Sequence, residues 1–241
     1  MKKFAFIPAR YAATRFPGKL MQKIGEQTII SMVYNNAKEM KLFDDVIVVT
    51  DSEVIEAELK RIGGKCIIST REHQSGSDRI AEACASVDVD IVVNIQGDEP
   101  FIRKQPLQDL VNSFDDPKVV VASLMQKFPE NESYENSNIV KVVCNKQKDA
   151  LYFSRSVIPY KRNKDVQETM YRHIGVYAYR KETLLDFTKW PMGMLEKIEM
   201  LEQLRYLENG VSIRMVETNE ASVGIDTPED LKKAIAFYNK Q

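Results

Sequence analysis

Residues 4–19 read FAFIPARYAATRFPGK, and this stretch points to both the fold and the first functional hypothesis. An apolar run from Phe4 to Pro8 leads directly into a loop that carries Arg10, Arg15 and Lys19. Arginine binds phosphate oxygens through paired hydrogen bonds, and lysine acts as a mobile point charge. A strand followed by a loop with three cations therefore predicts a polyanion site. In an α/β protein, the expected polyanion is the phosphate chain of a nucleotide.

This loop matches neither of two common phosphate-binding motifs. A Walker motif needs Ser or Thr after its lysine, whereas Leu20 follows Lys19, and the loop has no G-x-G-x-x-G pattern. The three cationic side chains must therefore do much of what backbone amides do in those motifs. For any one cation, a solvated surface position is the alternative. Three cations at the exit of a first strand favour phosphate.

The composition limits the classes of protein that fit. The 241 residues are 44% hydrophobic and 29% charged, which suits one large or two closely joined globular domains. A net charge of −1 provides no general attraction to nucleic acid or membranes. Three cysteines without a C-x-x-C motif argue against a disulfide framework or a structural zinc site. With no signal-like or membrane-length apolar segment, we expect a cytoplasmic protein.

The first half of the chain alternates apolar runs with helical patterns. Strands are predicted at residues 4–7, 46–49, 66–68 and 91–95, and helices at 28–40, 53–62 and 79–85. Continuous Val/Ile runs separated by helices indicate a parallel sheet covered on both faces. We therefore predict an α/β fold with a Rossmann-like, mostly parallel sheet flanked by helices. In such folds ligands bind at the carboxyl ends of the strands.

The second half has shorter strands and a polar connector. Strands are predicted at residues 119–125, 140–143, 150–153, 175–179 and 211–216, and helices at 181–188, 194–208 and 228–238. This pattern indicates a smaller mixed-sheet insertion. The predicted domains are a nucleotide-binding core, residues 1–126 with 211–241, and an insertion, residues 127–210.

Two acidic residues are candidate Mg²⁺ ligands. Asp98 lies in QGDEP, residues 96–100, at the end of a predicted strand, where Gly97 leaves space near the backbone. In VGIDTPED, residues 223–230, Thr227 is a good helix cap and Pro228 suits the first helical position, so the helix start does not need Asp226. Mg²⁺ commonly takes one or two carboxylates together with phosphate oxygens. The alternative is that both acids only stabilise turns.

Further polar residues are weaker candidates for ligand contacts. Ser75 and Arg79 lie in REHQSGSDR, residues 71–79, a composition also common in ordinary loops. His173 and Tyr177 are four residues apart and would share one face of a strand. With Arg155 as a carboxylate ligand, that face suits a polyhydroxylated acid. Glu202 and Gln203 are further candidates, with a solvated helix face as their default interpretation.

Taken together, these motifs resemble the CMP-Kdo synthetases, the 3-deoxy-manno-octulosonate cytidylyltransferases. The resemblance extends from IPARYAATRFPGK to GIDTPEDL, and QGDEP, ALYFSRS, RHIGVYAYR and LEKIEMLEQLR carry it. The first loop and QGDEP alone would indicate only the wider sugar nucleotidyltransferase group. The resemblance implies the nucleotide-diphospho-sugar transferase fold.

The resemblance also implies a reaction in which CTP and Kdo give CMP-Kdo and pyrophosphate, for lipopolysaccharide biosynthesis. It implies Mg²⁺ as the cofactor and a homodimer built through the insertion. The residues it implies are Arg10, Arg15 and Lys19 for the phosphates; Ala9, Ser75 and Arg79 for the rest of the nucleotide; Asp98 and Asp226 for Mg²⁺; and Gln96, Arg155, His173, Tyr177, Glu202 and Gln203 for the sugar acid. Of these, Lys19, Arg10, Asp98 and Asp226 would be catalytic.

Two other functions remain open at this point. One is a cytidylyltransferase for an amino analogue of Kdo or for a sialic-like acid. The other is a non-catalytic module that only binds a nucleotide, which the full set of cations and carboxylates disfavours. The effect of Leu20, where the family usually has proline after the lysine, also stays open.

Overall fold

The computed structural model describes residues 1–12, 16–73, 75–129, 132–167, 169–220 and 224–240. Its strands are β1 Lys3–Ala9, β2 Lys23–Ile24, β3 Gln27–Thr28, β4 Asp45–Thr50, β5 Cys66–Ile68, β6 Ile91–Asn94, β7 Val121–Lys127, β8 Lys141–Cys144, β9 Ala150–Ser154, β10 Tyr171–Arg180 and β11 Arg214–Glu217. Its α-helices are α1 Ile29–Glu39, α2 Glu53–Arg61, α3 Gly76–Ala85, α4 Lys104–Asn112, α5 Lys181–Phe187, α6 Met194–Glu199, α7 Leu204–Glu208 and α8 Pro228–Tyr238.

The chain divides into two compact units, Met1–Lys104 with Ser222–Gln241 and Gln105–Ala221. In the first unit the strands lie in the order β6, β1, β4, β5, and each neighbouring pair is parallel. All six residues of β4 and all four of β6 are buried. Strands covered on both faces favour apolar residues at successive positions, which explains the Val/Ile runs at 46–49 and 91–93.

The second unit contains a mixed sheet. Its strands lie in the order β11, β7, β10, β8, β9; β11 is parallel to β7, and the other pairs are antiparallel. The predicted α/β class, with a mostly parallel sheet flanked by helices, is confirmed.

The boundaries of the units differ from the predicted ones at 126/127 and 210/211. β7 is hydrogen-bonded to β10 on one side and to β11 on the other, so both β7 and β11 belong with the second unit. The sequence pattern shows that these segments are strands, but not which neighbours they pair with. The functions predicted for the two units stay predictions.

Two local predictions have opposite outcomes. α8 begins where its capping residues indicate, with Thr227 and Asp230 forming a reciprocal capping box and Pro228 in the first turn. The single helix predicted at 194–208 is wrong, because α6 and α7 are separated by a turn in which Met200 has a left-handed backbone, φ 54°. Residues 104–112 form α4, which was not predicted.

The longest α-helices, α1 and α8, have 11 residues each. A bilayer-spanning helix needs about 20 predominantly apolar residues. Within the described ranges, no helix has the length and apolar character needed to cross a membrane.

Candidate active site

Lys19 follows a turn whose backbone is tightly defined. Gly18 has φ 68°, a left-handed conformation that glycine adopts without steric cost, and its N–H donates to the carbonyl of Tyr11 at 2.9 Å. Lys19 then begins a 3₁₀ turn, Lys19–Met21, in which Leu20 is 4% exposed. The buried Leu20 anchors the backbone immediately after Lys19. This gives a packing role to the residue whose effect the sequence left open.

The ammonium of Lys19 lies between two carboxylates. Its Nζ is 2.5 Å from Asp98 Oδ2 and 3.0 Å from Asp226 Oδ1. Burial lowers the pKa of Lys19, but the two carboxylates outweigh that effect and leave the pKa above its ordinary value. Lys19 is therefore a permanent cation at neutral pH, in contact with both predicted metal ligands.

The backbone around Asp98 fixes its position. The carbonyl of Asp98 accepts a hydrogen bond from Ile225 N–H at 3.0 Å, which joins the segment after β6 to the segment before α8. A Cβ on Gly97 would lie 3.0 Å from the carbonyl oxygen of Pro8. Glycine is therefore needed at residue 97 because β1 passes close by. The role predicted for Gly97 from the sequence was to leave space for a ligand.

The cap of α8 is formed by the two side chains of Thr227 and Asp230. There Thr227 Oγ1 accepts from Asp230 N–H, and Asp230 Oδ2 accepts from Thr227 N–H. Asp226 contributes its own N–H to Asp230 at 3.3 Å and directs its carboxylate to Lys19. Thr227 and Asp230 thus cap the helix, whereas the carboxylate of Asp226 contacts Lys19.

Oxygen-rich groups at this position fit a hard cation. Mg²⁺ is commonly held by one or two carboxylates, with phosphate oxygens and water completing the coordination. Asp98 and Asp226 already share one cation, the Lys19 ammonium. In the described residues no group of three or more His, Cys, Asp or Glu side chains is placed to hold a metal. A metal here would therefore depend on oxygens from its substrate.

Glu99 adds a buried carboxyl beside this cluster. Burial, with a smaller effect from the Asp98 charge, raises the pKa of Glu99 to about 7. Its Oε2 has no hydrogen-bond partner in the part of the chain that the structure describes. Part of the Glu99 population is consequently neutral near physiological pH.

The other residues predicted to bind the nucleotide lie at the carboxyl end of β1 and at the start of α3. Ala9 is the last residue of β1, and the exposed Arg10 follows it and donates from Nη2 to the carbonyl of His73 at 2.9 Å. Ser75 caps α3, and its Oγ accepts from Asp78 N–H at 3.1 Å. The prediction for Arg15 falls outside the described residues.

Arg79 is an almost completely buried cation. It is 1% exposed, and its Nη2 donates to Asp51 Oδ2 at 2.6 Å. Its Nε and Nη1 have no partner among the described residues. Buried donors without acceptors are costly, so these two N–H groups are suited to a ligand acceptor. Asp51, which follows β4 as Asp98 follows β6, was not predicted from the sequence.

In the second unit, His173 and Tyr177 lie against each other. Their ring centroids are 5.3 Å apart, although β10 contains an irregularity between Ile174 and Tyr177. His173 is opposite Met125 and Tyr177 is opposite Ser123, two positions along β7, so the irregularity preserves the shared face. The alternation of side chains along a strand therefore correctly predicts that His173 and Tyr177 are neighbours.

Ser123 defines the state of the His173 ring. Ser123 Oγ is 2.8 Å from His173 Nε2 and 2.9 Å from the carbonyl oxygen of Val176. Ser123 Oγ also lies 3.2 Å from the carbonyl oxygen of Ile174. With its one proton donated to a backbone carbonyl, the hydroxyl accepts from His173 Nε2–H. Burial lowers the pKa of His173 to about 3. At neutral pH the ring is a neutral imidazole.

Glu202 and Gln203 lie in the turn between α6 and α7 rather than within a helix. Gln203 is 6% exposed, so its predicted solvated alternative is wrong. Burial raises the pKa of Tyr177 well above its ordinary value, and the charges of Tyr179 and Glu202 add to the effect. Glu202 therefore acts electrostatically on Tyr177.

Arg155 is bound mainly to backbone oxygens. Its guanidinium donates to the carbonyls of Glu199 at 2.8 Å, Ser137 at 3.1 Å and Met200 at 3.4 Å. Its own carbonyl accepts from the buried Lys141 Nζ at 2.7 Å. A guanidinium has five N–H donors, so two remain for other acceptors. Lys141 and Glu199, which hold Arg155 in place, were not predicted from the sequence.

Gln96 is the one predicted sugar-acid residue in the first unit. It follows β6, and its Nε2 lies 3.4 Å from Asn94 Oδ1. The other five predicted residues, Arg155, His173, Tyr177, Glu202 and Gln203, belong to the second unit. Their roles in binding stay predictions.

A family model described as Cytidylyltransferase matches residues 4–213. A protein of Flavobacterium johnsoniae named 3-deoxy-manno-octulosonate cytidylyltransferase is 56% identical over 240 residues, which cover 98% of each chain. The chain belongs to this cytidylyltransferase family. A second relative with the same name, from Bacteroides thetaiotaomicron, is 47% identical over the whole of both chains.

Solved structures agree with this family membership. The structure of a CMP:2-keto-3-deoxy-manno-octonic acid synthetase complexed with CTP is 39% identical, covers 100% of this chain and 99% of its own, and has a TM-score of 0.94. A putative glucose-1-phosphate thymidylyltransferase from Bacillus anthracis, 17% identical with a TM-score of 0.70, shares the fold. The predicted family and the predicted class, a nucleotidyltransferase, are confirmed.

Proposed function

We propose that this cytidylyltransferase activates 3-deoxy-manno-octulosonate (Kdo) with CTP, giving CMP-Kdo and pyrophosphate. The observation that carries the proposal is the contact of Lys19 with Asp98 and Asp226, in a chain that matches named Kdo cytidylyltransferases over its full length. A cation and two acids at the ends of parallel strands and helix starts suit a metal-bound triphosphate.

The cations of the first unit would bind the triphosphate. The side chains of Lys19 and Arg10 lie beyond the end of β1, and Arg15 is proposed to bind the phosphates with them. Ala9, Ser75 and Arg79 would bind the rest of the nucleotide. The two N–H groups of Arg79 without partners support its role, because a buried guanidinium benefits most from a further acceptor.

Asp98 and Asp226 would hold Mg²⁺ together with phosphate oxygens. When bound, the metal would neutralise phosphate charge and lower the pKa of the attacking hydroxyl. The chain's own contribution is to place the two carboxylates with an ammonium beside them. Lys19 would then stabilise the negative charge that develops on the phosphates.

The chemistry is an in-line displacement at phosphorus. The anomeric hydroxyl oxygen of the sugar acid forms a bond to the α-phosphorus, the bond from that phosphorus to the bridging oxygen breaks, and pyrophosphate leaves. The hydroxyl proton is lost to solvent. No covalent enzyme intermediate is required, so catalysis rests on positioning and on fixed charges.

The sugar acid would be bound by the five predicted residues of the second unit. The neutral His173 and the un-ionised Tyr177 support a site that forms hydrogen bonds with hydroxyl groups. The remaining donors of Arg155 suit a carboxylate.

A homodimer formed through the second unit is part of this proposal. Met194 and Ile198, four residues apart on α6, are 68% and 71% exposed, and Met200 is 75% exposed. Neighbouring exposed apolar side chains mark interaction surfaces. An Ile198→Asp variant should be monomeric in light-scattering measurements, and an unchanged mass would refute this interface.

We also place the reaction in the cytoplasm, in lipopolysaccharide biosynthesis. The three cysteines, Cys66, Cys84 and Cys144, are all free thiols, in keeping with a reducing compartment. The lipopolysaccharide assignment follows from Kdo as the proposed substrate.

Pyrophosphate release tests the proposed function. The purified protein is given CTP or UTP, with Mg²⁺ or with chelator, and Kdo, its 8-amino analogue or a sialic acid as acceptor. We expect the highest kcat/KM with CTP, Mg²⁺ and Kdo. A higher kcat/KM with another acid would show that this acid, rather than Kdo, is the substrate. CTP binding without release for any acceptor would show a nucleotide-binding module instead.

A further inference from the structure

Arg10 is an exposed side chain with one strong orienting contact. Among the described residues, its Nη2 donates to the backbone carbonyl of His73 at 2.9 Å. The segment that carries this carbonyl connects β5 to α3. Gly76, at the start of α3, lies beside β1, since a Cβ there would be 3.4 Å from Pro8 Cγ. The hydrogen bond to the His73 carbonyl therefore holds one end of the Arg10 guanidinium.

The His73 side chain is fixed by a carboxylate on α3. His73 Nε2 is 2.6 Å from Glu82 Oε2, and the His73 side chain is only 8% exposed. An imidazole held at one end restricts the backbone to which it is attached. The His73 carbonyl is thus constrained through its own side chain.

Glu82 also binds two other residues of the same segment. Thr70 Oγ1 donates to Glu82 Oε1, and Arg71 Nε lies 3.4 Å from the same oxygen. Three side chains within four residues, 70, 71 and 73, therefore converge on one carboxylate. The hydrogen bond from Thr70 has the largest effect on the pKa of Glu82 and lowers it. Burial acts in the opposite direction, but the contact with His73 lowers the pKa further, and the result is about 2. Glu82 is ionised throughout the physiological range.

We propose that Glu82 is a positioning residue for CTP, which acts through His73 to hold Arg10 toward the triphosphate. This inference rests on the proposed function, because it assumes that Arg10 binds phosphate. No contact of Glu82 with substrate is required. Removing the carboxylate releases Thr70, Arg71 and His73 together, and the Arg10 guanidinium then samples several orientations.

A double-mutant cycle separates positioning from general structural support. Arg10→Ala should raise the KM for CTP by roughly 30-fold, as expected for loss of a hydrogen bond between charged groups. Glu82→Ala should raise it by about tenfold with a smaller change in kcat. In the Arg10→Ala background, Glu82→Ala should have no further effect, because coupled residues are not additive. Full additivity of the two changes would overturn the positioning role.

Two further variants complete the test. Glu82→Gln keeps an acceptor for His73, so it should restore most of the affinity for CTP. Glu56→Ala removes another helix glutamate, paired with Lys60 at 2.7 Å, and should leave the KM unchanged. If Arg10→Ala alone leaves CTP binding unchanged, the phosphate role of Arg10 in the proposed function is wrong. If Arg10→Ala weakens binding but Glu82→Ala does not, only the inference about Glu82 is wrong.

Discussion

Asp98 and Asp226 are joined through a single ammonium group, that of Lys19, although one lies after β6 and the other before α8. Two carboxylates near each other repel unless a cation lies between them. Lys19 therefore stabilises the arrangement of the acids in the absence of substrate. The same three groups are those proposed to bind the metal and the triphosphate, so their proximity has both a structural and a chemical consequence.

Replacing Lys19 should slow turnover more than it weakens the fold. Lys19→Met keeps a flexible apolar chain but removes the charge that would stabilise developing negative charge on the phosphates. We expect kcat to fall by on the order of 10², as for loss of one electrostatic donor. Steady-state pyrophosphate release measures this effect. Lys23→Met, at an exposed lysine of the same segment, is the matched control and should retain wild-type kcat.

The same variant should bind a divalent cation more tightly when no nucleotide is present. In the wild-type protein the Lys19 ammonium competes for the oxygens of Asp98 and Asp226. Titration with Mn²⁺, followed by the electron paramagnetic resonance signal of the free ion, gives the dissociation constant. We expect a lower constant for Lys19→Met than for the wild type and Lys23→Met. An unchanged constant would show that Lys19 does not compete for this site.

Loss of Glu196 should strongly destabilise the second unit. Arg205 donates to Glu196 from Nε at 2.7 Å and from Nη2 at 2.6 Å, and both side chains are at most 10% exposed. Glu196→Ala leaves a buried guanidinium without its carboxylate, which typically costs about 3–5 kcal/mol. Urea unfolding followed by circular dichroism gives the free energy of unfolding.

A surface pair provides the control for this measurement. Asp186 pairs with Lys189 at 2.8 Å, and both side chains are mostly exposed. Asp186→Ala should have little effect, since solvent screens exposed ion pairs. Equal losses of stability in Glu196→Ala and Asp186→Ala would contradict the importance of burial at Glu196.

The buried His173 should make the protein less stable as the pH falls. Its pKa is about 3 in the folded state, against an ordinary value of 6.5, so the unfolded chain binds the additional proton. The stabilising contribution is complete above about pH 6.5 and is lost progressively toward pH 3. The free energy of unfolding of His173→Gln should vary less with pH over this interval. Parallel pH curves for the two proteins would refute the neutral buried imidazole.

Local chemistry explains which parts of the fold were predictable. The start of α8 follows from Thr227, Pro228 and Asp230, because each acts on backbone groups within one turn. The break at Met200 could not be predicted in the same way, since the carbonyls of Glu199 and Met200 accept hydrogen bonds from Arg155, which is remote in sequence. The pairing of β7 and β11 also depends on contacts remote in sequence.

The candidate site shows the same difference between residues marked by local sequence and residues that act from remote segments. Lys19, Asp98 and Asp226 each follow a recognisable strand or precede a recognisable helix cap, so their sequence context predicts where they lie. Asp51 and Glu82 act on Arg79 and His73 from other segments, and no local motif marks them. The residues proposed to bind a ligand were accessible from motifs, whereas the residues that contact and hold those side chains required the structure.

A crystal structure with CTP and Mn²⁺ tests the central claim most directly. Anomalous scattering locates Mn²⁺ independently of the protein chain. The account predicts a peak bound by Asp98 and Asp226, with phosphate oxygens completing its coordination and Lys19 Nζ in contact with the triphosphate. A triphosphate bound away from Lys19, with no peak at either carboxylate, would contradict it.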